Sequence, residues 1–204
     1  MRRYAPIVEA LALLLITLLA AVGLHLPTLW LVSPLVLLTL TRRSYDAYGL
    51  SLHDPGSVRF HIAVIAAVFV PYVFGHYALA RWWFGAQFHL RLPPRLLRSA
   101  FEQVLMIGLP EEFFFRGYLQ TQLDRVWQRP YRLLGTRWGL GLPAAAALFA
   151  VCHVIYGGPV RLIVVFPGLL YGWLRARAGT IAVPALYHAA SNVLMEVMQA
   201  SLTR

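Results

Sequence analysis

Two adjacent carboxylates lie in an apolar stretch of the chain, at Glu111 and Glu112. Three phenylalanines follow at 113–115, and then Arg116. Glu112 and Arg116 are four residues apart, so on a helix they share a face and can form an ion pair. Glu111 points about 100° away from that face and lacks such a partner. We therefore predict a structural pair and, at Glu111, a candidate general base, although both carboxylates could instead solvate a helix end.

Two further pairs of side chains have the same spacing of four. Phe149 precedes His153, and His188 precedes Asn192. Imidazole and amide groups can donate hydrogen bonds to a developing oxyanion. Each pair alone also fits an ordinary role, as a hydrogen-bonded core histidine or as a polar contact between helices. Together with Glu111, they predict three helices whose polar groups converge in one intramembrane pocket, where ionisable groups are functional candidates by default.

A general base, two imidazoles and an amide suit hydrolysis of an amide bond by activated water. Other protease chemistries find no support, since the sequence has no His-Glu-x-x-His zinc helix and no Gly-x-Ser-x-Gly turn. It also has no pair of aspartates within its apolar runs. Cys152 lacks a neighbouring base on its own helix face. Ser191 is a weak candidate because serine in a membrane helix usually bonds its own backbone.

The composition is that of a membrane protein. Hydrophobic residues make up 59% of the 204 residues and charged residues 13%, against about 25% charged in a soluble domain. The net charge of +10 comes entirely from arginine, and these arginines lie between apolar runs, as in the positive loops of membrane proteins. Nucleic acid is therefore not an expected partner. A single cysteine excludes an internal disulfide.

The apolar runs predict an all-α fold, a polytopic transmembrane bundle of about seven helices, within a range of six to eight. The predicted helices are 6–24, 28–41, 60–80, 96–124, 142–156, 159–176 and 180–201. Between them we predict a polar segment over 42–59, an interfacial segment over 81–98 and an arginine-rich loop over 125–140. We expect one integral membrane domain over 1–204. Most arginines then share the N-terminal side, which predicts a cytoplasmic N-terminus in the cell's inner (cytoplasmic) membrane.

The three spaced motifs resemble those of the CPBP (CAAX protease and bacteriocin-processing, or Abi) intramembrane proteases, to which the Ras-converting CAAX endopeptidase belongs. The matching residues are Glu111-Glu112-x-x-x-Arg116, Phe149-x-x-x-His153 and His188-x-x-x-Asn192. The resemblance assigns the catalytic core to 96–204. The first 95 residues carry no recognised motif.

The resemblance implies a role for each motif residue. Glu111 would activate water, His153 would orient it, His188 and Asn192 would stabilise the oxyanion, Glu112 and Arg116 would brace their helix, and Phe149 would pack beside the site.

The family has been described both as metal-dependent and as glutamate-type. Glu111, His153 and His188 could form a zinc site. We prefer a site without metal or other cofactor, because Asn192 beside His188 suits an oxyanion role.

An intramembrane site implies a membrane-embedded or lipidated peptide substrate. Prokaryotic members of the family are implicated in peptide processing, bacteriocin immunity and trimming of membrane-anchored sorting signals. Two other interpretations remain open. One is a non-catalytic immunity or scaffold protein of the same fold. The other is a proton-coupled transporter that uses the same ionisable groups as a relay, although the sequence has no internal repeat of the kind that transporters carry.

Overall fold

The computed structural model describes residues 2–51 and 55–203, and within them the chain forms an all-α bundle of seven helices. The helices are α1 (Ala5–Leu24), α2 (Leu29–Leu40), α3 (Val58–Trp83), α4 (96–127), α5 (Gly141–Gly157), α6 (Val165–Ala178) and α7 (Ala182–Ser201). A 3-10 turn, Pro159–Val164, leads into α6. The predicted fold class and all seven helices are thereby confirmed. Residues 52–54 of the predicted polar segment lie outside the described residues.

Four short strands that the sequence did not predict lie in the connecting segments and after the last helix. Strand β1 (Gln87–Phe88) pairs with β4 (Leu202–Thr203), and β2 (Tyr131–Leu133) forms a hairpin with β3 (Thr136–Trp138). The prediction of a loop over 125–140 is therefore wrong in part. The short turn at Leu134 and Gly135, both with positive φ, lets neighbouring strands pair at once.

Three of the described helices have the length and apolar composition of membrane spans: Ala5–Leu24, Val58–Trp83 and the stretch Pro159–Ala178. Leu29–Leu40 and Gly141–Gly157 are shorter apolar helices. Trp82 and Trp83, in the last turn of α3, are almost fully exposed, which suits the interfacial position predicted for this part of the chain.

Helix α4, which carries the two glutamates, alternates between α and π geometry. Its successive segments are Leu96–Glu102 (α), Gln103–Gly108 (π), Leu109–Glu112 (α), Phe113–Leu119 (π) and Gln120–Trp127 (α). A π turn accommodates one residue more than an α turn and is frequent at functional sites. Here the two π segments flank the single α turn that holds both glutamates.

The first two helices pack against α4 through aromatic and polar contacts. The ring of Trp30 lies 4.8 Å from that of Phe114 and 5.1 Å from that of Phe115, centroid to centroid. On α1, the Glu9 carboxylate accepts hydrogen bonds from Tyr118 Oη (2.7 Å) and from Arg43 Nη2 (2.6 Å). These contacts fix the N-terminal hairpin beside the segment of α4 that follows the glutamates.

Candidate active site

Glu112 is the most completely buried charged group of the predicted site. Its Oε1 accepts hydrogen bonds from Arg116 Nη1 at 2.9 Å and from His188 Nδ1 at 2.8 Å. Glu112, Arg116 and His188 are all buried. The predicted pair between Glu112 and Arg116 is confirmed, whereas the bond to His188 joins α4 to α7 and was not predicted.

A glycine allows α4 and α7 to approach closely enough for that bond. A Cβ atom on Gly108 would lie 2.8 Å from the carbonyl oxygen of Ala185, which is closer than any real side chain tolerates. One turn further along each helix, Glu112 meets His188.

Arg116 is enclosed by groups that suit a guanidinium. Its Nη2 donates to the carbonyl oxygen of Gly168 at 3.2 Å. The guanidinium carbon lies 4.2 Å from the ring centroid of Phe149 and 5.4 Å from that of Tyr171. Cation–π contacts are strongest where, as here, both partners are removed from water.

Glu111 faces the two histidines from the other side of the same turn. Its Oε2 lies 3.9 Å from Nε2 of His153 and 3.9 Å from Nε2 of His188. This buried oxygen has no hydrogen-bond partner among the described residues. A separation of 3.9 Å is too long for a direct hydrogen bond but is spanned by one bridging water. The predicted convergence of three helices is therefore present at Glu111.

The partners of Nδ1 determine how each imidazole faces Glu111. His153 Nδ1 lies 3.0 Å from the carbonyl oxygen of Phe149, and His188 Nδ1 lies 2.8 Å from the carboxylate of Glu112. Both partners are acceptors, so Nδ1 carries the proton in each ring. Each Nε2 is thus left free to contact a water or a substrate at Glu111.

Aromatic rings hold the two imidazoles in place. Phe149 lies 4.3 Å from the ring of His153 and meets the ring of His188 edge-on at 5.9 Å. Tyr171 stacks on His188 at 5.2 Å with an interplanar angle of 16°. The predicted packing role of Phe149 agrees with these contacts, and Tyr171 is a residue that the sequence analysis missed. No motif spacing marks it, because it lies on a separate helix.

Asn192 lies one turn after His188 on α7 and contacts another part of α4. Its Nδ2 donates to Oε1 of Gln103 at 2.7 Å. The structure therefore places Asn192 beside the site with one amide hydrogen already used. Gln103 was not predicted, and its spacing of eight residues before Glu111, about two helical turns, is the one sequence signal that could have found it.

The model of the family described as type II CAAX prenyl endopeptidase Rce1-like matches residues 93–194, which is half of the chain. The chain belongs to this family. Every predicted site residue falls within the matched region, so the resemblance drawn from the three motifs is confirmed. At the level of the family, this is a CAAX-type intramembrane protease. No curated protein and no solved structure gives a significant match.

In this member of the Rce1-like family, the hydroxyl of Ser191 is engaged within the bundle. Its Oγ donates to the carbonyl oxygen of Tyr187 at 2.8 Å and accepts from Tyr171 Oη at 2.8 Å. The expectation that Ser191 bonds its own backbone is confirmed. Cys152 is buried on α5, and among the described residues neither side chain bonds to the base that would activate a nucleophile.

A cavity of about 390 Å³ opens onto Glu111 and His153. Its wall includes Ala21 of α1, His25 of the following turn and Trp30 of α2, as well as Arg161 beyond α5. The N-terminal segment, which carries no recognised motif, therefore supplies part of the surface that a substrate would meet.

A zinc ion held by Glu111, His153 and His188 would require their donor atoms to lie close together. Ligands of a tetrahedral zinc lie about 3.3–3.6 Å apart, given bond lengths of about 2.0–2.2 Å. Glu111 lies 3.9 Å from each imidazole, and no group of three or more His, Cys, Asp and Glu side chains within 2–51 and 55–203 is arranged to hold a metal ion. The separations from Glu111 to the imidazoles are thus longer than those between the ligands of a bound zinc.

Proposed function

We propose that this protein hydrolyses a peptide bond within the membrane by means of water activated by Glu111. The observation that supports this best is the buried Oε2 of Glu111, which has no hydrogen-bond partner in the described part of the chain and is faced by two imidazole nitrogens at 3.9 Å. One water in that space would contact all three groups. A carboxylate that accepts the water's proton at the moment of attack is general base catalysis, which contributes about 10²- to 10⁴-fold in rate.

The first half of the reaction forms the bond from water to carbon. The water oxygen attacks the scissile carbonyl carbon while its proton passes to Oε2 of Glu111, and the carbonyl electron pair moves onto oxygen as an oxyanion. In the second half the C–N bond breaks as the oxyanion collapses, and Glu111 returns the proton to the leaving nitrogen. The products are an acid and an amine, and Glu111 is restored.

His188 and Asn192 are suited to stabilise the oxyanion. The bond of His188 Nδ1 to the carboxylate of Glu112 directs Nε2 of that ring toward Glu111, where the oxyanion would form. Asn192 uses one amide hydrogen on Gln103, and the second hydrogen of its Nδ2 is free to donate. Preorganised donors of this kind are each worth about 10²- to 10³-fold in turnover.

The cavity supports a substrate that is membrane-embedded or lipidated. It combines an aromatic wall at Trp30 and Phe115 with a positive charge at Arg161. An apolar anchor would hold the peptide at membrane depth, and Arg161 favours a carboxylate near the scissile bond.

We expect turnover to be independent of added metal. Purified protein should hold less than one equivalent of zinc by elemental analysis and should keep its activity after treatment with a chelator, because the donors at Glu111 lie too far apart. The control is the same chelator on a zinc peptidase under the same detergent conditions. Stoichiometric zinc, with activity lost on chelation and restored by zinc alone, would contradict the proposed mechanism.

The substrate is best found by comparing membrane-protein termini in cells that express the wild type or the Glu111→Gln variant. We expect uncleaved peptides to accumulate in the variant, which would establish proteolysis and identify the substrate together. An unchanged terminal profile alongside a loss-of-function phenotype would favour the scaffold or transporter interpretation.

A further inference from the structure

A cluster of arginines lies at the end of the bundle where α3 begins and α6 ends. On the hairpin β2–β3, Arg132 and Arg137 are direct cross-strand partners, an arrangement of like charges that is destabilising. Arg177, at the end of α6, joins the same hairpin by donating to the carbonyl oxygen of Leu134 at 3.0 Å. Within the described parts of the chain, none of these three arginines forms an ion pair with an acidic side chain.

Arg137 and Arg177 line a small polar cavity of about 380 Å³. Its other walls are short side chains and backbone of the hairpin turn and the end of α6, at Gly135, Thr136 and Ala178. Two guanidinium groups around a cavity without a neighbouring carboxylate in the described residues have the chemistry of a phosphate site.

An apolar groove of about 760 Å³ adjoins this polar cavity, and Pro55 lines both. The groove runs between α3 and α7, and its walls include Ile65, Phe69, Val73, Val183, Leu186 and Leu194. From Val183 to Leu194 it extends about 17 Å at 1.5 Å per residue, which is about half of the ~30 Å hydrocarbon core. That is the depth of one leaflet.

Helix α3 packs loosely against the rest of the bundle. In its most apolar 18-residue window, no residue is buried. The polar contact at the arginine end, between His61 Nδ1 and Tyr187 Oη at 3.0 Å, links α3 to α7 there. His61 and Tyr187 themselves form part of the groove wall, so an occupant would lie alongside this contact, in the space between the two helices.

We propose that this composite site binds one anionic phospholipid, with its phosphate between Arg137 and Arg177 and one acyl chain in the groove. The negative charge of the phosphate complements the arginine cluster, and the length of the apolar groove matches one leaflet of the bilayer. Basic pockets between membrane helices bind anionic headgroups in the same way. The bound lipid would brace α3 against α7, the helix that carries His188. The proposal is independent of the peptidase mechanism.

The test measures lipid binding to the purified full chain in a non-ionic detergent, by native mass spectrometry and by thermal unfolding. The probes are phosphatidylglycerol, phosphatidylcholine with the same acyl chains, and glycerol 1-phosphate, which has the headgroup chemistry without chains. We expect phosphatidylglycerol to bind and to raise the unfolding temperature, and the other two probes to bind at least tenfold more weakly. Equal binding of both lipids, or binding of glycerol 1-phosphate as tight as that of phosphatidylglycerol, would overturn the proposal.

Three variants distinguish the contribution of the arginine charge to lipid binding from that of the apolar groove. Arg137→Gln, at an exposed position that should not affect folding, is expected to weaken phosphatidylglycerol binding about fivefold, since one arginine near a membrane surface is worth about 1 kcal/mol. Arg95→Gln, at another exposed arginine, is the matched control and should leave binding unchanged. Ala190→Phe fills the groove and should weaken binding of the lipid but not of glycerol 1-phosphate. An equal loss in Arg95→Gln and Arg137→Gln, or no loss in Ala190→Phe, would show that this site does not hold the lipid.

Discussion

Replacing Glu111 with glutamine is expected to reduce peptidase turnover by about 10²- to 10⁴-fold while leaving the protein folded. Glutamine keeps the size of the side chain but cannot accept a proton from water. The ion pair of Glu112 with Arg116 and its bond to His188 do not involve Glu111. The loss should therefore fall on kcat, with little change in thermal unfolding.

The measurement is hydrolysis of a substrate identified from the terminal profiles, with wild type and variant purified side by side. Glu102→Gln is the matched control, because Glu102 lies on the same helix and forms an exposed pair with Arg98. That variant should turn over at nearly the wild-type rate. A Glu111→Gln protein with full activity would remove the general base from the mechanism.

Replacing Glu112 with glutamine is expected to have its largest effect on stability. Removing one member of a buried ion pair leaves the other charge uncompensated, which costs about 3–5 kcal/mol. Here the orphaned group is the buried guanidinium of Arg116, and the imidazole of His188 exchanges a charged acceptor for a neutral one. Activity should fall too, but only together with the folded fraction and the alignment of His188.

Denaturant unfolding in detergent measures this effect, with Glu111→Gln as the control of equal chemistry one position away. The double variant Glu112→Gln with Arg116→Gln should lose less free energy of unfolding than the two single variants lose in sum, because the second change removes the orphaned charge. Additive losses, or a Glu112→Gln protein as stable as wild type, would contradict a structural role for the pair.

Contacts within one helix were predictable, because spacing alone determines them. Glu112 and Arg116 had to share a face, and so did Phe149 and His153. Apolar length likewise located the seven helices. The expectation that Ser191 bonds its own backbone followed from the usual behaviour of serine in a membrane helix.

Contacts between helices were not predictable from spacing. The bonds of His188 to Glu112 and of Asn192 to Gln103 depend on how closely α4 and α7 approach and at what register. That approach depends on Gly108, whose missing side chain gives no positive signal in the sequence.

The N-terminal hairpin illustrates the same limit. It carries no motif, yet Trp30 packs on two phenylalanines of α4 and lines the cavity at Glu111. Packing of this kind is encoded by size and shape rather than by spaced polar residues. A search of the sequence for catalytic residues alone does not detect such packing.

The π turns of α4 would allow this helix to lose one residue without being broken. Deleting one residue within Gln103–Gly108 would let that segment close into ordinary α-helix, at no cost in backbone hydrogen bonds. Because the π turn accommodates the extra residue, the parts of α4 on either side of the deletion would keep nearly the same faces, and Glu111 and Glu112 would keep their own surroundings. A single-residue deletion here would thus alter one turn without rotating the rest of the helix, and its effect would fall on the side chains of that turn, among them Gln103, which contacts Asn192. Homologues that differ in length at this segment would be expected to differ in that contact and to share the glutamates.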